Sequence, residues 1–253
     1  MKKLATCLVA ALVVALALPA MAQAPSGEIA HIYFTKATPG HEQLYELGRK
    51  RHMEFHGQAK DTWNWHTWEV LTGENTGSYV TGTFGHNWSD FDGREKFDQA
   101  DGADAAMNLA PHAAGTTQSF YVRRTDMIIA GALNFSAPLL QITDFYLRPE
   151  GVNTFVDGVK KINEAAKKAN WPARGQWYQL VSGGNGPVLV LVNERRNWAD
   201  FQPPEKSLDA MVKEVMGEAE GAAMLESLRK QVRYTNTSTL RYRAELSYVP
   251  ASK

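Results

Sequence analysis

The sequence predicts an α+β protein built from two copies of one βαββαβ unit. Three observations carry that expectation. An offset of 110 residues lays 32–93 on 142–203 without a gap, and thirteen of the 62 pairs are identical, where unrelated sequences of ordinary composition would match at roughly 4. The stretch Trp68-Glu69-Val70-Leu71-Thr72-Gly73-Glu74-Asn75, closed by Asn87-Trp88-Ser89-Asp90-Phe91, recurs as Tyr178-Gln179-Leu180-Val181-Ser182-Gly183-Gly184-Asn185, closed by Asn197-Trp198-Ala199-Asp200-Phe201. Repetition at this period duplicates a folding unit. Finally, Val188, Val190 and Val192 alternate with Leu189 and Leu191, so both faces of that strand must be covered. Helices of the same unit cover one face, and the sheet of the other copy covers the second. The result is a closed two-sheet body within one chain.

Each element follows in order. Residues 29–36 read as a strand of mixed apolar character, ended by Pro39-Gly40. Residues 41–58, with Leu44, Leu47, Gly48, Met53 and Phe55, suit a helix. The stretch 63–71 is a second strand dense in β-forming side chains, and 73–77 is a turn whose Gly and Asn tolerate positive φ. Residues 78–84 form the third strand. At the Asn-Trp-x-Asp-Phe segment the Asn and Asp cap the next helix, while the Trp and Phe pack beneath it. That helix covers 92–108, with a break near Gly102 and an end at Pro111. The fourth strand is 120–126. An unusually apolar linker, 128–140, is expected to lie on the body.

The plan then restarts. A strand at 141–147, the turn Pro149-Glu150-Gly151 and a helix at 153–170 come first; the helix carries Phe155, Val159, Ile162, Ala166 and Ala169 on one face. A hairpin of 176–181 with 187–193 follows. The long helical stretch 208–231 has glycines at 217 and 221, and the last strand is 238–247. Strand–helix–strand–strand–helix–strand is the ferredoxin-like plan. The chain divides into a signal peptide (1–22), a first repeat (28–127), the linker (128–140) and a second repeat (141–249).

The first 22 residues differ from the rest. Lys2 and Lys3 precede an apolar run, Leu4 to Leu18, and then Ala20-Met21-Ala22, the pattern of a secretory signal with an Ala-x-Ala cleavage site. The run is short for a bilayer span, which needs about 20 residues. Export to the periplasm or medium is therefore expected, with no membrane attachment after cleavage. Cys7, the single cysteine, lies in the removable segment, which excludes disulfides, thiolate catalysis and cysteine-ligated metals from the mature chain. Removing two lysines leaves 25 basic against 27 acidic side chains. A near-neutral surface without basic runs argues against nucleic acid as a partner.

The repeated plan, the Pro-Gly type turns (Pro39-Gly40, Pro149-Glu150-Gly151) and the Trp-rich strand–helix junction resemble the dimeric α/β-barrel superfamily in its tandem, single-chain form. That superfamily includes antibiotic-biosynthesis-type monooxygenases, EthD-like and NIPSNAP-like proteins, and haem-binding chlorite dismutases and dye-decolourising peroxidases. The resemblance spans nearly the whole mature chain and implies an intrachain dimeric α/β-barrel, a pseudo-dimer of the two repeats. It selects no subfamily, and fold does not supply function.

Chemistry points to the first repeat. All seven histidines (31, 41, 52, 56, 66, 86 and 112) fall in it or at its trailing edge. His52 and His56, four apart, share a helix face, a usual arrangement for two metal ligands. The offset pairs them with Ile162 and Ala166 on the apolar stripe of the second copy, so both imidazoles should face the sheet. Glu54 pairs with Glu164 and reads as a surface residue. His66 lies between Trp65 and Trp68, with Tyr33 and Trp63 nearby, and an aromatic cleft with a few imidazoles suits a flat organic ligand. Core packing explains the same tryptophans. His86 pairs with Arg196 and is expected to be exposed.

The candidate ligand site is thus His52, His56, His66, Trp63, Trp65 and Tyr33, with His52 and His56 as candidate metal ligands. Haem or a divalent metal would suit the imidazoles, and neither is required. No triad, phosphate loop, dinucleotide fingerprint or carboxylate pair stands out, so no catalytic residue is assigned. The expectation is an exported small-molecule-binding protein or enzyme, its ligand cleft between helices and sheet of the first repeat, working as a cofactor-free oxygenase or through haem or metal. The alternative is a non-catalytic structural or binding module whose histidines are incidental.

Overall fold

Val188, Val190 and Val192 face one buried cluster and Leu189 another, which is how the chain covers both faces of that strand. The structure, a computed structural model, describes residues 27–128, 131, 133–172 and 175–250. The expected export segment, 1–22, and linker residues 129, 130 and 132 lie outside the described residues.

The elements are β1 (Ile29–Ala37), α1 (Glu42–Gln58), β2 (His66–Val70), β3 (Tyr79–His86), α2 (Trp88–Asp92), α3 (Glu95–Asn108), β4 (Ala113–Arg123), β5 (Leu139–Leu147), α4 (Val152–Lys168), β6 (Gln176–Ser182), β7 (Val188–Arg195), α5 (Leu208–Met216), α6 (Glu218–Gln231) and β8 (Val232–Tyr242). All eight strands join one antiparallel sheet that closes in the order β1-β3-β2-β8-β5-β7-β6-β4. The closed body is the barrel that the resemblance implied, with the two expected sheets joined edge to edge into one. β2 pairs with β8 and β4 with β6, so the two edges each half would expose are consumed by the other, and closure removes the edge problem.

The repeat is visible as strand register. Phe34 pairs with Val80 and Trp68 with Val80, as Asp144 pairs with Val190 and Tyr178 with Val190. After the third strand the copies drift. Ile32 faces Ser119 but Ile142 faces Ser238, a separation of 119 in place of 110, and the second copy uses the extra length for α5.

The barrel interior holds Trp68, Val70, Leu140, Tyr178, Val190 and Leu240 among others, with linker residues Leu133, Phe135 and Ala137 packed onto them. Outside the barrel, α4 covers Trp177 and Leu189 with Phe155, Val156 and Val159.

Several boundaries differ from expectation. α3 runs through Gly102 and is interrupted earlier, at Gly93-Arg94. β4 begins at Ala113 and β8 at Val232, well before their apolar residues, because the first half of each is solvent-exposed and carries a polar pattern. The second long helix breaks at Gly217, whose φ of 93° no helix accepts, and continues through Gly221. Asn87 and Asp90 form a capping box, and the Asn197 side chain accepts from the Asp200 amide. The motif's tryptophans do not pack beneath their helices. Trp88 and Trp198 are 46% and 56% exposed; Phe91 packs on Trp63, His86 and Phe120, while Phe201 stacks on Trp198.

Candidate functional site

His52 and His56 lie on the buried face of α1, as their pairing with Ile162 and Ala166 required. In the second half this position is apolar: Ala165, Ala166, Met211, Val212 and Leu225 form a cluster against which Ile162 packs. The first half fills the same place with charge. α3 crosses α1 and presents Asp101 and Asp104, three apart and so on one face. Asp104 Oδ1 lies 2.7 Å from His52 Nδ1. Asp101 Oδ1 lies 3.4 Å from His52 Nε2 and 3.2 Å from His56 Nε2. Neither contact has hydrogen-bond geometry, and Asp101 Oδ1 is buried without a hydrogen-bond partner.

The third carboxylate comes from the loop after α1. Lys60 adopts a left-handed conformation (φ 54°), as does its counterpart Asn170 (φ 47°). The reversal lets the Asp61 amide donate to the His56 carbonyl and returns the Asp61 carboxylate beneath the helix. There it accepts from His56 Nδ1 (2.9 Å), Trp65 Nε1 (2.9 Å), the Trp63 amide (3.1 Å) and both terminal nitrogens of Arg94 (2.8 and 3.2 Å). The group is a chain: Asp61, His56, Asp101, His52, Asp104.

Its electrostatics follow from burial and partners. Burial together with the nearby Arg49 guanidinium pushes the His52 imidazole down to about 4, despite Asp104 and Asp101. Burial would also lower His56, but the Asp101 and Asp61 carboxylates on its two nitrogens outweigh it and raise its pKa. Burial opposes ionisation of Asp61 and Asp101 too. Hydrogen bonds from His56, Arg94 and Trp65 nonetheless hold Asp61 far below the carboxylate range, and the neighbouring imidazoles and Arg49 hold Asp101 below it. Arg49 is itself fully buried; its Nε donates to the Leu246 carbonyl and its Nη2 has no partner.

Of the six residues expected in the site, the structure brings together His52, His56 and Trp65, with the Trp65 ring 5.4 Å from His56. Tyr33 borders them, 6.0 Å from Trp65, and burial pushes its hydroxyl up to about 12. Trp63 borders them on the far side, under the Arg94 guanidinium at 3.8 Å and stacked on His86 at 3.8 Å. His66 is not part of the group. Alternation along β2 sends it with Trp68 into the barrel, where it packs on Phe135 at 5.3 Å. There burial alone pushes it down to about 4. The expected exposure of His86 is also corrected: it is buried between Trp63 and Phe91, beside the Thr83 hydroxyl.

Sequence reasoning missed Asp61, Arg94, Asp101 and Asp104. The signal for the last two was an acidic i, i+3 pair on a helix expected to cover the sheet. Tyr248, on the tail after β8, was missed as well. Its ring stacks on His56 at 5.7 Å and its hydroxyl donates to the Asp61 carbonyl at 2.9 Å.

No protein-family model matches the chain, and no curated protein matches it in sequence. Solved structures do match in fold. A provisionally named monooxygenase from Lactobacillus acidophilus aligns at TM-score 0.55 and 10% identity over 88% of this chain and 97% of its own. A cyanide-bound variant of chlorite dismutase from Candidatus Nitrospira defluvii aligns at 0.53 and 10%, over 87% and 92%. An anthrone oxidase-like protein aligns at 0.50 and 13%, over 90% and 97%. The chain has the dimeric α/β-barrel fold, as the resemblance in sequence implied.

Proposed function

We propose that the protein is an exported metalloprotein in which His52, His56 and Asp101 hold one divalent first-row metal between α1, α3 and the sheet, with a small molecule as its partner. We read each half as a ferredoxin-like unit, since each orders its strands fourth-first-third-second. The single observation that carries the metal reading is the convergence of two imidazole Nε2 atoms on one orphaned carboxylate oxygen. Both Nδ1 atoms are already committed to Asp104 and Asp61. A neutral imidazole that donates through Nδ1 offers a lone pair at Nε2, so with both rings neutral lone pairs face lone pairs, a clash that a metal ion among them relieves for both rings and a proton on His56 Nε2 relieves for one.

Ligands at right angles about an ion, each about 2.1 Å from it, stand about 3 Å apart with lone pairs aimed at the ion and away from each other. Separations of 3.2 and 3.4 Å without hydrogen-bond geometry fit that arrangement. Carboxylates behind metal-bound imidazoles fix the tautomer and raise ligand basicity. Two imidazoles and one carboxylate leave coordination positions open for water or a small molecule. The names carried by the matching folds, monooxygenase and oxidase among them, support a small-molecule partner.

Haem does not fit. Asp101 stands where a porphyrin bound to either Nε2 would lie, and the cavity beside His66 measures about 130 Å³, less than a tetrapyrrole fills. The charge chain favours one other reading, a metal-free proton relay serving a cofactor-free oxygenase. Metal analysis of protein purified from the periplasm separates the two. We expect about one equivalent of metal, lost in His52→Ala and Asp101→Asn, and ligand-field bands on adding Co(II) to stripped protein. Wild-type protein that neither carries metal nor takes up Co(II) would overturn the proposal.

A further inference from the structure

The barrel interior lies on the opposite side of the sheet from His52 and His56. A cavity of about 220 Å³ lies within the closed strands, larger than the roughly 150 Å³ apolar cavity known to take up benzene. Phe34, Phe84, Tyr121, Ile142 and Val190 line it, and none of its lining residues is Lys, Arg or His.

The lining also carries polar side chains, Thr117, Ser119 and Asn236 among them, and one carboxylate on a barrel strand, Asp144. β5 sends Leu140, Ile142 and Asp144 inward, and the counterpart of Asp144 in β1 is Phe34. Among the described residues, no hydrogen bond or ion pair reaches the Asp144 carboxylate. Its cross-strand neighbours are Val190 on β7 and Asn236 on β8. Tyr121 on β4 and Tyr146 on β5 lie close enough for its charge to raise their pKa further than burial alone. Glu74 adds a second carboxylate to the lining, at the exposed turn. The half-buried Asp144 carboxylate thus lines the cavity without a protein partner to offset its charge.

We propose that the barrel interior binds a small, mainly hydrocarbon molecule bearing one protonated amine, with the ammonium against Asp144 and the hydrocarbon among the aromatic walls. The lining supplies negative charge and aromatic faces, both of which favour a cation, and nothing cationic in it competes. The site is independent of the metal centre.

The test is calorimetric titration with 2-phenylethylamine and its neutral analogue 2-phenylethanol at pH 7.5. Wild-type protein should bind the amine at least about tenfold more tightly than the alcohol, the size expected for one charge-assisted contact. Asp144→Asn should erase that preference while leaving alcohol binding unchanged. Ile142→Phe, which fills the cavity, should weaken both. Equal binding of amine and alcohol by wild-type protein, a preference that survives Asp144→Asn, or no binding of either at millimolar concentration would overturn the proposal. Metal content serves as the control: it should not change in either variant.

Discussion

Asp61 accepts five hydrogen bonds with its side chain 1% exposed. It holds His56, both tryptophans of the approach to β2, and Arg94 at the start of α3. Removing its charge would leave Arg94 and the His56 Nδ1–H without their acceptor. Breaking a buried pair on one side costs about 3–5 kcal/mol. Asp61→Asn should therefore lower unfolding free energy by roughly 3 kcal/mol in urea titrations, and a loss below about 0.5 kcal/mol would refute this account.

Asp144 should behave in the opposite way. Burial raises its folded pKa to about 6, above the value of about 3.9 for an unfolded chain. The folded state thus holds this proton more tightly, so stability is greatest below about pH 4 and falls as pH rises towards 6 and beyond. Asp144→Asn should stabilise the protein by roughly 1–3 kcal/mol at pH 7.5, with the gain vanishing near pH 4. Melting curves across that range would reveal a pH-independent difference if the carboxylate were solvated. At this scale the sequence made His52 and His56 legible, because the repeat lent them the buried register of Ile162 and Ala166. Asp101 and Asp104 were not legible, because which face of α3 meets α1 depends on the crossing of two helices far apart in the chain.

Helix crossing is set by a glycine in each copy. Gly48 lets α1 lie against the end of α3, and a Cβ there would stand 1.9 Å from the Asn108 carbonyl oxygen. Its counterpart Gly158 lets α4 approach α6, but a Cβ there would meet the end of the Leu228 side chain at 2.7 Å. Backbone cannot move aside without shifting the helix, whereas a leucine can change rotamer. Alanine also gains about 1 kcal/mol over glycine within a helix. Gly158→Ala should then fall within about 1 kcal/mol of wild type, while Gly48→Ala should lose more than about 2 kcal/mol. Gly48→Ala should also move Asp101 away from the imidazoles. Urea unfolding of the pair decides it, and equal losses would mean that neither crossing is tight. The identity of Gly48 and Gly158 is plain in the repeat; its reason is visible only once the helices are packed.

Across the whole molecule each half completes the other. After β4, the turn at Thr125–Met127 packs on α4, and Asn163 donates to the Met127 carbonyl at 2.6 Å. After β8, the turn at Ala244–Leu246 packs on α1, and Arg243 reaches Glu46 through both terminal nitrogens, at 2.7 and 2.8 Å. The second exchange carries Tyr248 onto His56, so the last residues of the second copy cover the site of the first. Tyr248→Ala should weaken metal binding about tenfold in chelator competition, as loss of an outer-shell support does. Tyr248→Phe should lose less, since it keeps the stacked ring. Unchanged affinity in Tyr248→Ala would show that the tail is not part of the site.

The sequence alone determined the internal similarity at an offset of 110 residues, the order of strands and helices along the chain, the alternation of β7 and the burial of His52 and His56. All of these depend on local periodicity and on comparison of one copy with the other. Tertiary structure decided the closure of the sheet into one barrel, the opposite facing of His66 and His56, and the meeting of Asp61, Asp101, Asp104 and Tyr248 around the imidazoles. Those outcomes depend on strand pairing and helix crossing between segments distant along the chain, and periodicity within a segment carries no information about either.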